Sequence, residues 1–110
     1  MSNRQLPQAT DIEMALLGSM MIYPTAIETA VEQGLDSSDF FHQSNRIVYK
    51  SILDLYNERK PADASSLITR LTDEKNLQSI GGTEYILKLA DAAGSGANAK
   101  FYANTIQDRA

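Results

Sequence analysis

Cysteine and tryptophan are absent from this 110-residue chain, histidine occurs once and proline three times. Without cysteine there is no disulfide framework, no thiolate nucleophile and no zinc site of the cysteine type. The single histidine, His42, has no second ligand at His-x-x-x-His spacing, so a metal centre is not expected. Ser44 and Asp39 lie near it, but all three sit on one loop-to-helix junction, where loop closure and capping explain them better than a hydrolytic triad. Long hydrophobic runs are missing as well. The longest, Met14 to Ile22, is interrupted by Gly18 and Ser19 and falls well short of the ~20 residues a membrane-spanning helix needs. No apolar stretch follows Met1-Ser2-Asn3-Arg4-Gln5 to make a secretion signal. A cytoplasmic protein with no membrane contact is the expectation.

What is present reads as one globular domain, 43% hydrophobic and 22% charged. The net charge of −4 is unevenly spread. Residues 1–40 hold six acids against Arg4, whereas residues 41–110 hold eight acids and nine bases. Neither part offers the clustered basic surface that phosphate binding requires. An acidic first lobe suits solubility or a basic protein partner.

The patterning is helical almost throughout. Thr10-x-x-Glu13 has the form of a capping box ahead of a helix over about 11–22, nearly apolar all round and therefore central. Within it Gly18 permits a close helix crossing. Tyr23-Pro24 breaks that helix and starts a second, with Ile27, Ala30 and Val31 inward. Gly34-Leu35 has the glycine-plus-apolar form of a Schellman ending, and Phe40-Phe41 reads as an apolar plug under the following loop. A third helix over about 44–59 carries the stripes Val48/Ile52/Leu55 and Tyr49/Leu53/Tyr56. Asp63 caps a fourth, Gly81-Gly82 opens a fifth over about 83–92, and a sixth runs from about Ala97. These spacings predict an all-α orthogonal bundle of five to six short helices with short loops.

Chemistry-bearing patterns are scarce. Gly81-Gly82-Thr83 has no lysine beside it and is not a phosphate loop. Asp73-Glu74 reads as a solvated helix end. Arg46 and Lys50 share a face of the third helix, but Asp54 and Glu58 continue the row and should pair with them. The chain is therefore expected to be no enzyme by itself and to bind no cofactor. Helix six is different. Phe101, Tyr102 and Ile106 are large apolar residues on a terminal element, and aromatics so placed are enriched at interfaces. That helix stops without glycine, proline or polar run-out, which is expected of a domain cut from a longer protein.

Five segments, in order, resemble the N-terminal domain of DnaB-type hexameric replicative DNA helicases. They are Glu13-Met14-Ala15-Leu16-Leu17-Gly18; Asp39-Phe40-Phe41 with Arg46-Ile47-Val48-Tyr49; Pro61-Ala62-Asp63 through Leu67; Gly81-Gly82-Thr83-Glu84-Tyr85-Ile86; and Ala97-Asn98 with Phe101-Tyr102-Ala103 and Ile106 to Ala110. Two positions depart from the family pattern. Asn45 stands where a histidine is usual, and Gly94-Ser95-Gly96 replaces a proline-bearing entry to helix six.

The resemblance implies a non-catalytic collar domain that pairs into dimers and a trimer of dimers, and that contributes to docking a DnaG-type primase and a helicase loader. The ATP- and magnesium-dependent motor would lie carboxy-terminal, and no direct nucleic-acid contact is expected here. Residues 1–10 would form an extended or disordered arm, 11–96 the helical domain, and 97–110 the first arm of a truncated helical hairpin. Phe101, Tyr102 and Ile106 are the expected subunit-pairing residues, and Asp11 and Tyr85 the expected primase-linked contacts. A stand-alone helical adaptor, a helicase-binding regulator and a small DNA-binding domain remain open alternatives.

Overall fold

A computed structural model describes residues 9–110 and contains only helices and turns among them. Six α-helices follow in order: α1 (Ala9–Ile22), α2 (Pro24–Glu32), α3 (Gln43–Asn57), α4 (Ala64–Asp73), α5 (Gly82–Asp91) and α6 (Ala99–Arg109). Single 3-10 turns at Ser37–Asp39, Gln78–Ile80 and Gly96–Asn98 lead into α3, α5 and α6. The all-α bundle expected from the spacing is the observed fold.

α1 is the axis of the bundle, packed by α2, α3, α5 and α6. That explains its nearly uniform apolar character: Ile12, Met14, Leu16, Leu17, Met20 and Met21 are all buried. Gly18 sets its distance from α5. A Cβ built there would lie 2.1 Å from the Leu89 carbonyl oxygen and 2.8 Å from Ala93 Cα. Ser19, one residue on, donates to the Gly94 carbonyl at 2.8 Å, while the Gly94 N–H donates to the Ala15 carbonyl at 3.2 Å.

Three helix ends use the same terminator. After α2 the Leu35 N–H donates to the Ala30 carbonyl and the Gly34 N–H to that of Val31, with Gly34 at φ 74°. This is the Schellman motif. The ends of α3 and α4 repeat it, with Arg59 (φ 61°) and Lys75 (φ 62°) in the left-handed position. At the start of α4 the Asp63 carboxylate accepts the Ser66 N–H at 2.9 Å. That hydrogen bond holds the Asp63 carboxyl below the usual aspartate range.

Several expectations are corrected. Thr10 is no N-cap, because α1 already includes Ala9 and Thr10. Glu13 does not reach back to it; its carboxylate turns inward. Residues 1–8 of the expected arm lie outside the described residues. Within the segment 97–110, residues 99–109 form α6. α6 lies against α1 and α2 as fully as any other helix, and Gln107 Nε2 donates to the Gln33 carbonyl at 2.6 Å. Val31, expected inward, is exposed, whereas Ala26, Ile27 and Ala30 are buried.

The charge row along α3 does not pair with itself. Glu58 instead reaches α4, where Arg70 Nη1 and Nη2 donate to its two oxygens at 2.9 and 2.6 Å, and Lys60 adds a third cationic contact at 3.2 Å. Arg70 first, then Lys60, lowers the Glu58 pKa to about 2.

Candidate docking surfaces

The five residues singled out from the sequence fall into different environments. Phe101 stands on the outer side of α6 and is 61% exposed. Tyr102 is half-buried; its ring lies edge-on to that of Phe101, with centroids 5.9 Å apart, and its hydroxyl end rests against Gly94. Both glycines that lead into α6 lie against aromatic side chains, Gly94 against Tyr102 and Gly96 against the Tyr23 ring.

Ile106 is only 3% exposed. Although Ile106 is an expected subunit-pairing residue, it has cover within the chain, since α1 and the turn at Ser37–Asp39 both lie against α6. It is a core residue of the bundle. The sequence could not show this, because the cover comes from segments some seventy to ninety residues earlier.

Asp11 is exposed on the first turn of α1, beside Lys88 and Asp91 of α5. Tyr85 faces elsewhere. It is half-buried, and its hydroxyl donates to Asn45 Oδ1. Burial first, then the Glu13 carboxylate, raises its pKa, while the bond to Asn45 opposes the shift. A primase-linked role for Tyr85 sits poorly with this geometry, because its polar tip is already engaged inside the domain.

Tyr85 belongs to a buried polar chain that joins three helices. Asn45 on α3 accepts from Tyr85 on α5 and donates through Nδ2 to Glu13 Oε1 on α1 at 2.7 Å. The second Glu13 oxygen accepts the Phe41 N–H at 2.6 Å. Every buried side-chain polar atom among the described residues has a partner, as such a network requires to be stabilising. Asn45, the departure from the family pattern, is its central member.

Phe40 and Phe41 do not plug the core as a pair. Phe40 is fully buried and tilted against Tyr49, but Phe41 is 74% exposed. Phe40 has extended backbone (φ −74°, ψ 141°), and in extended chain successive side chains point to opposite sides. Two adjacent aromatics after a turn thus could not both plug the core. Tyr49, beneath Phe40, donates its hydroxyl to the Leu35 carbonyl at 2.8 Å. Burial, with smaller contributions from Asp36 and Asp39, pushes its pKa to about 12.

Among the described residues no three His, Asp or Glu side chains gather as a metal site, and no helix is long and apolar enough to cross a membrane. What the surface presents is a set of large apolar side chains, Phe41 and Phe101 foremost, on a small all-α domain.

Comparison with known proteins places that class within a family. Residues 5–108 match the DnaB-like helicase N terminal domain family. The replicative DNA helicase DnaB of Mycobacterium leprae is 36% identical over 107 residues, covering 97% of this chain and 18% of that protein. Its counterpart from Geobacillus stearothermophilus is 30% identical over 108 residues, covering 98% of this chain and 24% of that protein. The crystal structure of the N-terminal domain of DnaB helicase from Mycobacterium tuberculosis superimposes with a TM-score of 0.88 at 34% identity, over 94% of this chain and 74% of that one. The chain belongs to the DnaB-like helicase N-terminal domain family. It spans a quarter or less of the length of these two helicases.

Proposed function

We propose that this domain is the amino-terminal collar of a replicative DNA helicase, a scaffold that mediates subunit pairing into a ring and contributes to docking primase and loader proteins during replication in the cytoplasm. In this reading the ATP- and magnesium-dependent motor and the DNA contacts belong to a carboxy-terminal domain, and the collar itself performs no catalysis. The family match supports the setting. The observation that carries the pairing role is Phe101, a large apolar ring 61% exposed on α6 and braced by Tyr102. Tyr102 contributes by bracing, and Ile106 by fixing α6 to the bundle. Asp11, exposed on the first turn of α1, is the remaining contact proposed for primase-linked docking.

Sedimentation equilibrium tests the pairing role on this chain and on one lengthened by roughly 40 residues, enough for a further helical hairpin at the usual rise per residue. The longer chain should associate more tightly, and Phe101→Ser should weaken that association without lowering the melting temperature. Equal association of both lengths, or indifference to Phe101→Ser, would remove the basis for the assignment.

A further inference from the structure

A second surface, away from Phe101, has a more definite chemistry. Between the start of α1, the Phe40–Phe41 segment and the end of α6 lies a pocket of about 190 Å³ whose apolar walls are Ile12, Phe40, Phe41 and Ile106, with Arg46 and Arg109 at its polar side. A cavity of roughly 150 Å³ takes a benzene ring, so this one has room for a single large aliphatic or aromatic side chain.

The charges around the pocket are unequally committed. Glu13 and Asp39 also line it, but both Glu13 oxygens accept hydrogen bonds, from Asn45 and Phe41, and Asp39 Oδ2 accepts the Asp36 N–H. Among the described residues Arg46 donates only through its Nε, to the Phe40 carbonyl at 2.7 Å. Neither Arg46 nor Arg109 forms an ion pair among the described residues, and residues 1–8 contain no aspartate or glutamate to supply one. Among the described residues neither arginine is paired with these carboxylates, so both guanidinium groups keep donors for an incoming acid beside the apolar walls.

Phe41 is held ready beside it. Its N–H is fixed on the buried Glu13 carboxylate, and its ring meets that of His42 edge-on at 5.0 Å. His42 is in turn tied to Thr10 Oγ1 at 2.5 Å. An exposed aromatic whose backbone is already fixed loses little entropy on binding, which is the character of an interface anchor.

We infer that the Phe41 pocket docks a short acidic peptide segment of a protein partner, one that inserts a single large apolar side chain between Phe41 and Ile106 and sets neighbouring carboxylates against Arg46 and Arg109. A nucleic-acid strand would satisfy the arginines but would leave the apolar walls without a matching group. The inference is independent of the collar reading and of Phe101, so either can fail alone.

Amide NMR on this chain provides the test. The probe is a capped peptide with one leucine flanked by aspartates in an alanine–serine background, with its Asp→Asn and Leu→Ser versions as controls. Shifts should centre on Phe41, Arg46 and Ile106. Replacing the aspartates with asparagine, or Arg109→Gln in the protein, should weaken binding by about two- to fivefold, as for an exposed ion pair. Phe41→Ser, or the Leu→Ser peptide, should weaken it by about tenfold through lost apolar contact. Both protein positions are exposed, so unchanged melting temperatures will confirm that the variants fold. Four results would overturn the inference: no shifts at millimolar peptide, equal binding of the asparagine peptide, tighter binding of a single-stranded oligothymidine at the same amides, or concentration-dependent broadening there showing that a second copy fills the pocket.

Discussion

Asn45 on α3 donates its side-chain amide to the buried carboxylate of Glu13 on α1, 32 residues earlier in the chain, at 2.7 Å. The same asparagine accepts the Tyr85 hydroxyl from α5. The amide has a donor face and an acceptor face, and here each serves a different helix. Replacing Glu13 with alanine strands both the Phe41 N–H and the Asn45 amide. We expect a loss of about 2–3 kcal/mol, from one buried and one part-buried donor at roughly 1–3 kcal/mol each with partial relief by water. Urea unfolding measures it; a loss below about 1 kcal/mol would mean the network contributes little. Phe41 should also become more mobile, visible as a lowered backbone order parameter at that residue.

Gly18→Ala is expected to be more harmful than its small size suggests. Alanine favours helix over glycine by about 1 kcal/mol, but its methyl would sit 2.1 Å from a backbone oxygen that has no rotamer to escape into. Overpacking against side chains costs roughly 1–3 kcal/mol, and against backbone the upper end applies. The net effect should be destabilising by about 2 kcal/mol or more, with a lower melting temperature and unchanged helical content at low temperature. A neutral result would show that α1 and α5 can separate freely.

Arg59→Gly and Lys75→Gly should stabilise the domain. Both residues occupy the left-handed position of a Schellman ending, where a Cβ is strained by roughly 1–2 kcal/mol and glycine's extra unfolded-state entropy offsets up to about 1 kcal/mol. A gain of a few tenths to about 1 kcal/mol per site follows. Lys75 is the cleaner test, because the Lys60 contact to Glu58 lies next to Arg59. Thermal denaturation of the single and double variants checks both the sign and additivity.

Glu58 should give stability a pH dependence of defined sign. Its folded pKa is about 2, against an ordinary value of 4.5. Between those values the unfolded chain carries a proton that the folded chain does not, so stability rises with pH there. The contribution is fully present above about pH 4.5 and is lost as pH falls toward 2. Because the pair is exposed to solvent, salt should shrink the effect. Comparing urea midpoints of the parent and Arg70→Gln across this range, at low and high salt, isolates it. Parallel profiles would show that the Arg70 contact does not survive in solution.

The helices, their order and one of the three Schellman endings, that of α2, were legible because local chemistry decides them. Pro24 starts α2, Asp63 caps α4, Gly34-Leu35 ends α2, and Gly18 marks the close crossing. The errors arose where a distant segment outbid a near one. Thr10-x-x-Glu13 has the spacing of a capping box, yet the Glu13 carboxylate is worth more to Phe41 and Asn45, whose donors would otherwise be buried without acceptors. Glu58 follows Asp54 along one face of α3, yet Arg70 offers it a two-pronged contact from α4. Ile106 stands near the end of the chain, yet it is covered by α1. Phe41 was recoverable from sequence, since extended backbone sends Phe40 and Phe41 to opposite sides.

At Gly18 the crossing of α1 and α5 is made by main chain against main chain, with no upholstery of side chains between. Rotamer changes cannot cushion a push there, because no rotamers stand in the way. The spacing of α1 and α5 at that point is therefore fixed by backbone geometry alone.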